Sequence, residues 1–244
     1  MSQINVVEFA GMAGSGKTFL ASSLQPFLMN EDLKAIYLVH GPLTYSTRFI
    51  LYCKKLFYSF YLFLIMPRTA ILLGVAIVQA HPPMIKRLIS IIWNVYYKVG
   101  FILYSRGTVV LDEGLIHAIW SVYLFGNRFP YELYMILSEI IRRYEIKLIA
   151  IQVKIEPNAL LEQFIKRSTV LKWRHDLAPG GQVDIKAFKD AERKYQEIMK
   201  RIGPVIDRTF GLANKSGIDS TQLAAYAKAI VEWVSSASSK SSTD

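Results

Sequence analysis

The sequence predicts an α/β fold, a five-stranded parallel sheet with helices on both faces and a long helical insertion between strands two and three. Three observations lead there. Short apolar, β-branched runs alternate with longer helical segments along the chain. The first run passes directly into a glycine-rich loop and a helix start. The third run ends in two consecutive carboxylates, Asp112 and Glu113. In parallel sheets ligands gather beyond the carboxyl ends of the strands, which is where both features fall.

The first strand is read at residues 4–10. It is followed by Gly11-Met12-Ala13-Gly14-Ser15-Gly16-Lys17-Thr18, which fits G-x-x-x-x-G-K-[ST]. All eight residues are assigned to nucleotide binding. Gly11, Gly14 and Gly16 let backbone N–H groups close around phosphate oxygens. The following helix presents the positive end of its dipole there. Lys17 can reach the β- and γ-phosphates, and the Thr18 hydroxyl can ligate Mg²⁺. This is the phosphate-binding loop of the three-layer P-loop NTPase fold.

The helix from Lys17 should run to about Leu24, because Pro26 disturbs or ends it. Strand two is read at 35–39, closed by His40-Gly41-Pro42. Strand three is 108–111 and strand four is 147–154. Strand five, shorter, is read at 204–207. The last helix runs from Thr221 to about Val234, with Asp219 or Ser220 as its N-cap. The sequence thus reads as one domain, 1–234, followed by a serine-rich, disordered tail at 235–244.

The connection at 41–106 is long. It holds an apolar aromatic run at 56–66, a second apolar run at 69–80, and a helical, aromatic and basic stretch at 84–104. Neither uncharged run reaches the roughly 20 residues of a spanning helix. Three placements stay open: buried helices of a substrate subdomain, a helical pair lying in a membrane interface, and a short hairpin that spans.

The chain has 244 residues, 52% of them apolar, enough for a sizeable core. The single cysteine, Cys53, excludes an internal disulfide and fits a reducing cytoplasm. It reads as a small buried hydrophobe. No secretory signal precedes the first strand, so the expected location is cytoplasmic, with the inner face of a membrane as a peripheral site. The net charge of +10 is uneven. Leu33 to Leu111 holds nine basic residues and no Asp or Glu, whereas the other 165 residues carry 20 basic and 19 acidic groups, or +1. Such a segment prefers phosphates, other anionic ligands or an anionic surface, and Arg48 within it is assigned to substrate binding. No specific nucleic-acid binding is expected. His40, His81, His117 and His175 lack metal-ligand spacing.

Asp112 is placed to hold Mg²⁺ beside Thr18, and Glu113, pointing elsewhere, can act as a general base. With the P-loop upstream, Lys17, Asp112 and Glu113 form the catalytic set.

Taken with the third-strand motif 109–112, the loop at 11–18 resembles the thymidylate kinase-like branch of P-loop kinases. Residues 151–157 and 159–161 look like that family's fourth strand and the helix entering its lid, and 188–201 with Tyr195 like the helix after the lid. The resemblance implies a kinase fold and use of ATP. It also implies that Arg167 is a lid arginine, with Arg174 a second candidate. Arginines closing over the γ-phosphate stabilise charge spreading in the transition state. The chain departs from the pattern at Glu113, where thymidylate kinases carry an arginine that grips the acceptor phosphate, and at Gln163 and 40–45. Deoxynucleoside kinases are also similar, but their Glu-Arg-Ser pattern is absent.

A hydroxyl acceptor benefits from a base, whereas a phosphate acceptor needs cationic clamping. Glu113 leans toward a hydroxyl, and the basic connection toward an anionic molecule. The expected activity is Mg²⁺- and ATP-dependent phosphoryl transfer to a hydroxyl on an anionic or lipid-linked small molecule. The alternatives are a nucleoside monophosphate kinase and a membrane-associated NTP-binding regulator with little turnover. An anionic membrane surface and a homodimer are both compatible partners.

Overall fold

A computed structural model of the chain describes residues 4–12, 15–30, 35–38, 45–80, 85–105, 107–126, 128–155, 160, 162, 185–213 and 220–240. Strand β1 (Asn5–Ala10) is buried along its whole length, and the architecture is built outward from it. It pairs in parallel with β3 (Thr108–Leu111) on one side and β4 (Lys147–Lys154) on the other. β2 (Ala35–Leu38) adds to β3, and β5 (Arg208–Ala213) adds to β4, giving the order β2-β3-β1-β4-β5, all parallel. Glu8 sits opposite Leu111, so the chain leaves β1 and β3 at the same sheet edge.

Side chains alternate between the two faces along each strand. Val7, Phe9, Val110, Ile149 and Ile151 join a core with Leu20, Leu24 and Leu28 of α1 (Lys17–Asn30) and Ala227 and Ile230 of α8 (Ser220–Lys240). Val6, Val109, Leu111, Leu148 and Ala150 face the other way. There they meet α4 (Ile85–Tyr104), α5 (Leu115–Phe125), α6 (Tyr131–Arg143) and α7 (Ile185–Ile202). The insertion contributes α2 (Tyr45–Ile65) and α3 (Pro67–Ala80) to this same core through Leu62, Leu73 and Ile77. Pro67 cannot continue α2 but is well suited to open α3, and the two helices are bent by 117° at this break.

Several sequence expectations need correction. Pro26 lies inside α1 instead of ending it. It is exposed, so the lost backbone bond faces solvent while Leu24 and Leu28 remain buried against the sheet. The expected strand at 204–207 is instead a 3-10 turn, Gly203–Val205, and β5 begins at Arg208. Asp207 prepares that strand: its N–H donates to Leu148 O at 2.9 Å and its Oδ2 accepts from Leu148 N at 2.8 Å. The last helix runs to Lys240, so 235–240 continue α8 instead of starting a disordered tail. Asp219 as an N-cap and residues 241–244 lie outside the described residues. Cys53 is exposed on α2, not buried.

The insertion is buried only on its inner side; the outer sides of α2 and α3 are exposed. Among the described residues no single helix is long and apolar enough to cross a membrane.

Candidate functional site

The site is assembled where β1 and β3 end. After β1 the chain turns through Gly11 and Met12 and enters α1 at Lys17. Gly16 has φ +85°, a left-handed conformation that side chains resist and glycine adopts freely. Lys17 is 4% exposed, and its Nζ donates to Gly11 O and Met12 O, each at 3.0 Å. The ammonium is thereby held across the loop. Ala13 and Gly14 lie outside the described residues.

Thr18 Oγ1 donates to Asp112 Oδ2 at 3.1 Å, joining the first turn of α1 to the end of β3. Asp112 is 1% exposed. A hydroxyl and a carboxylate oxygen side by side are the hard donors that Mg²⁺ prefers. Among the described residues no cluster of three or more His, Cys, Asp or Glu could hold a metal ion. An ion at Thr18 and Asp112 would therefore complete its shell with phosphate and water oxygens, and the donors present fit that arrangement.

Glu8, which the sequence reading passed over, supports the acidic turn from behind. It is fully buried in β1. Its Oε1 accepts from Gly114 N at 3.0 Å and His117 N at 2.9 Å, and its Oε2 accepts from Ile116 N at 3.0 Å. These are N–H groups at the start of α5 that the helix itself cannot satisfy. A Cβ at residue 114 would run into the Glu8 carboxylate, so glycine is required there. Burial lifts the Glu8 pKa above the usual carboxylate range, while the N–H bonds and the charge of Lys98 oppose that shift. In the sequence it shows only as one carboxylate among Val6, Val7 and Phe9.

Glu113 lines a cavity of 280 Å³ between α2, α4 and α5. Its neighbours there include Lys55, Asn94, Lys98, His117 and Ser121. Lys55 Nζ donates to Asn94 Oδ1 at 2.6 Å and stands 5.8 Å from the centre of the buried Tyr97 ring. Burial, and then repulsion from Lys98, lower the Lys55 pKa. His117 Nε2 is 3.4 Å from Glu113 Oε2. Burial pushes this imidazole down to about 3; Glu113 and Asp112 act upward, Lys98 and Lys17 downward. The ring is therefore neutral near pH 7, and with its proton on Nε2 it would orient the Glu113 carboxylate. His117 and Ser121 lie one turn apart on α5, and Glu113 stands just before its N-cap, Gly114.

A second cavity, of 440 Å³, opens on the other side of the loop among Met12, Ser15, Gln152, Lys154, Glu192 and Tyr195. The helix expected after the lid is α7. Arg167 and Arg174 lie outside the described residues, as do His40, His81, Gln163 and His175. Arg48 lies on α2, with its side chain outside what is described.

No family model matches the sequence, and no curated protein matches it. Among solved structures, the chain is similar to deoxyadenosine kinase from M. mycoides with bound dCTP, at 12% identity over 93% of this chain and 99% of that one, with a TM-score of 0.47. It is also similar to thymidylate kinase from Ehrlichia chaffeensis, at 11% identity over 96% and 99% respectively, with a TM-score of 0.45.

Proposed function

We propose that the chain transfers the γ-phosphoryl group of Mg²⁺-bound ATP to a hydroxyl of an anionic small molecule held in the cavity between α2, α4 and α5. The main support is that Thr18 and Asp112 meet at one edge of that turn while the next residue, Glu113, faces a pocket lined by two lysines.

In this reading the loop amides and Lys17 cradle the β- and γ-phosphates. Mg²⁺, held by Thr18 and Asp112, would neutralise charge on the phosphate oxygens. Glu113 takes the proton of the acceptor hydroxyl as its oxygen bonds to phosphorus, and the bond to the bridging oxygen of ADP breaks. His117 keeps the Glu113 carboxylate aimed. Lys55 and Lys98 pair with the anionic group of the acceptor. An anion there would offset both the burial of Lys55 and its repulsion from Lys98. Arg167 and Arg174 are proposed to close over the γ-phosphate, and Arg48 to assist the acceptor.

The two lysines also favour a second reading, in which the acceptor is itself a phosphate, as in a nucleoside monophosphate kinase. The Glu113 carboxylate facing the same cavity would repel such an acceptor.

A coupled ATP-consumption screen over nucleosides, nucleotides and sugar phosphates identifies the acceptor. With it, Glu113→Gln should lower kcat by roughly 10²–10⁴-fold while leaving ATP affinity, measured by calorimetry, unchanged. Unaltered turnover, or a gain on monophosphates, contradicts the hydroxyl reading. If no acceptor supports turnover, the regulatory alternative takes its place.

A further inference from the structure

We infer that the outward faces of α2 and α3 are a docking surface for an anionic lipid bilayer. This inference is independent of the phosphoryl-transfer reading.

On α2, Phe49, Tyr52, Leu56, Phe60, Phe63 and Leu64 are all exposed, with Phe60 at 63% and Leu64 at 65%. Their spacing follows i, i+3, i+4 and i+7, so they form one stripe along the helix. On α3, Ile71, Val75 and Val78 are exposed in the same way. Soluble monomers rarely leave so much contiguous apolar surface in water. The residues on the opposite sides, Leu62, Leu73 and Ile77, belong to the core shared with the sheet. The helices are thereby tied to the core, and their outer sides are the ones presented to lipid.

Charge selects the occupant. Lys54 and Arg68 are exposed on these same two helices, and no Asp or Glu occurs between Leu33 and Leu111. A second copy on this face would oppose one acid-free basic segment with another. An anionic headgroup layer supplies the missing negative charge, and its acyl boundary accepts the aromatic stripe. Tyrosine and tryptophan suit that boundary, and Tyr52, Trp93 and Tyr104 are exposed on α2 and α4.

Cys53, the only cysteine and exposed within the α2 stripe, supplies a probe position. The test sediments the full chain with phosphatidylcholine vesicles, with and without phosphatidylglycerol. It is done unlabelled and with an environment-sensitive fluorophore on Cys53. Retention should be at least about tenfold greater on the anionic vesicles at low salt and should fall as salt is added. Emission from Cys53 should shift to the blue on binding. Phe60→Ser with Leu64→Ser should abolish retention, and Lys54→Glu with Arg68→Glu should weaken it. Neither pair should change the thermal shift produced by ATP. Four outcomes overturn the inference: no retention at low salt, retention without a spectral shift, retention that survives Phe60→Ser with Leu64→Ser, or a blue shift caused by self-association without lipid. A wild type that shows no thermal shift with ATP counts against the phosphoryl-transfer reading alone, whatever the vesicles show.

Discussion

Glu8 is the side chain with the widest reach. Its two oxygens accept three N–H groups from the first turn of α5 and so fix the turn that carries Asp112 and Glu113. In Glu8→Gln an amide NH₂ would face at least one of those donors. The expected cost is about 1–3 kcal/mol, read as a lower urea midpoint, with a parallel loss of kcat. Glu8 was not identifiable from sequence because its partners lie 106 to 109 residues away. Lys17, Thr18 and Asp112 were legible because the phosphate-binding motif and the end of an apolar strand fix their places locally. The neighbouring His117 gives a pH signature. Its folded pKa of about 3 lies below the ordinary imidazole value of 6.5, so between those values the unfolded chain binds the extra proton. This contribution to stability is complete above about pH 6.5 and is lost as the pH falls toward 3. Urea midpoints from pH 7 to 5 should therefore fall more steeply in the wild type than in His117→Gln. Equal slopes would show that the buried imidazole does not titrate as described.

At the scale of elements, the sequence located strands one, three and four well because they are mainly apolar, β-branched runs in the sheet interior. β5 was misplaced because it is an edge strand with Gly211 within it, and its real start is set by Asp207 pairing with Leu148. α1 continued past Pro26 because packing of Leu24 and Leu28 outweighs one missing backbone bond. Pro26→Ala restores the N–H without disturbing a buried contact. It should stabilise the protein by about 1–2 kcal/mol, less than the full helix-propensity difference of about 3 kcal/mol because the freed chain also gains unfolded-state entropy. Thermal melts followed by circular dichroism check this, and an unchanged or lower Tm would mean that proline fits α1 without strain.

For the whole molecule, the sequence showed that 41–106 is helical and basic but not which sides of its helices are buried. Apolar residues surround α2 on nearly every side, so periodicity gave little direction, and only contact with α4 and the sheet decided it. That contact has a thermodynamic consequence. Leu62, Tyr97 and Ile102 of the insertion share one core with Val6 and Leu111 of the sheet. Insertion and sheet should therefore unfold together. Denaturation followed by tryptophan emission, which samples Trp93 of the insertion together with Trp120 of α5 and Trp233 of α8 among the chain's four tryptophans, should coincide with that followed by far-ultraviolet circular dichroism. Two separated transitions would show that the insertion is an independent unit.

The cavity beside Glu113 draws Lys55, Asn94 and Lys98 from α2 and α4, whereas the glycine loop with Lys17 joins β1 to α1. If the proposed reaction holds, acceptor choice and phosphate donation are written on separate stretches of chain that meet at the turn braced by Glu8. Substitutions on the two inserted helices should then retune the choice of acceptor while leaving the loop between β1 and α1 as it is. That makes α2 and α4 the natural place to begin a redesign or a selection for new cargo.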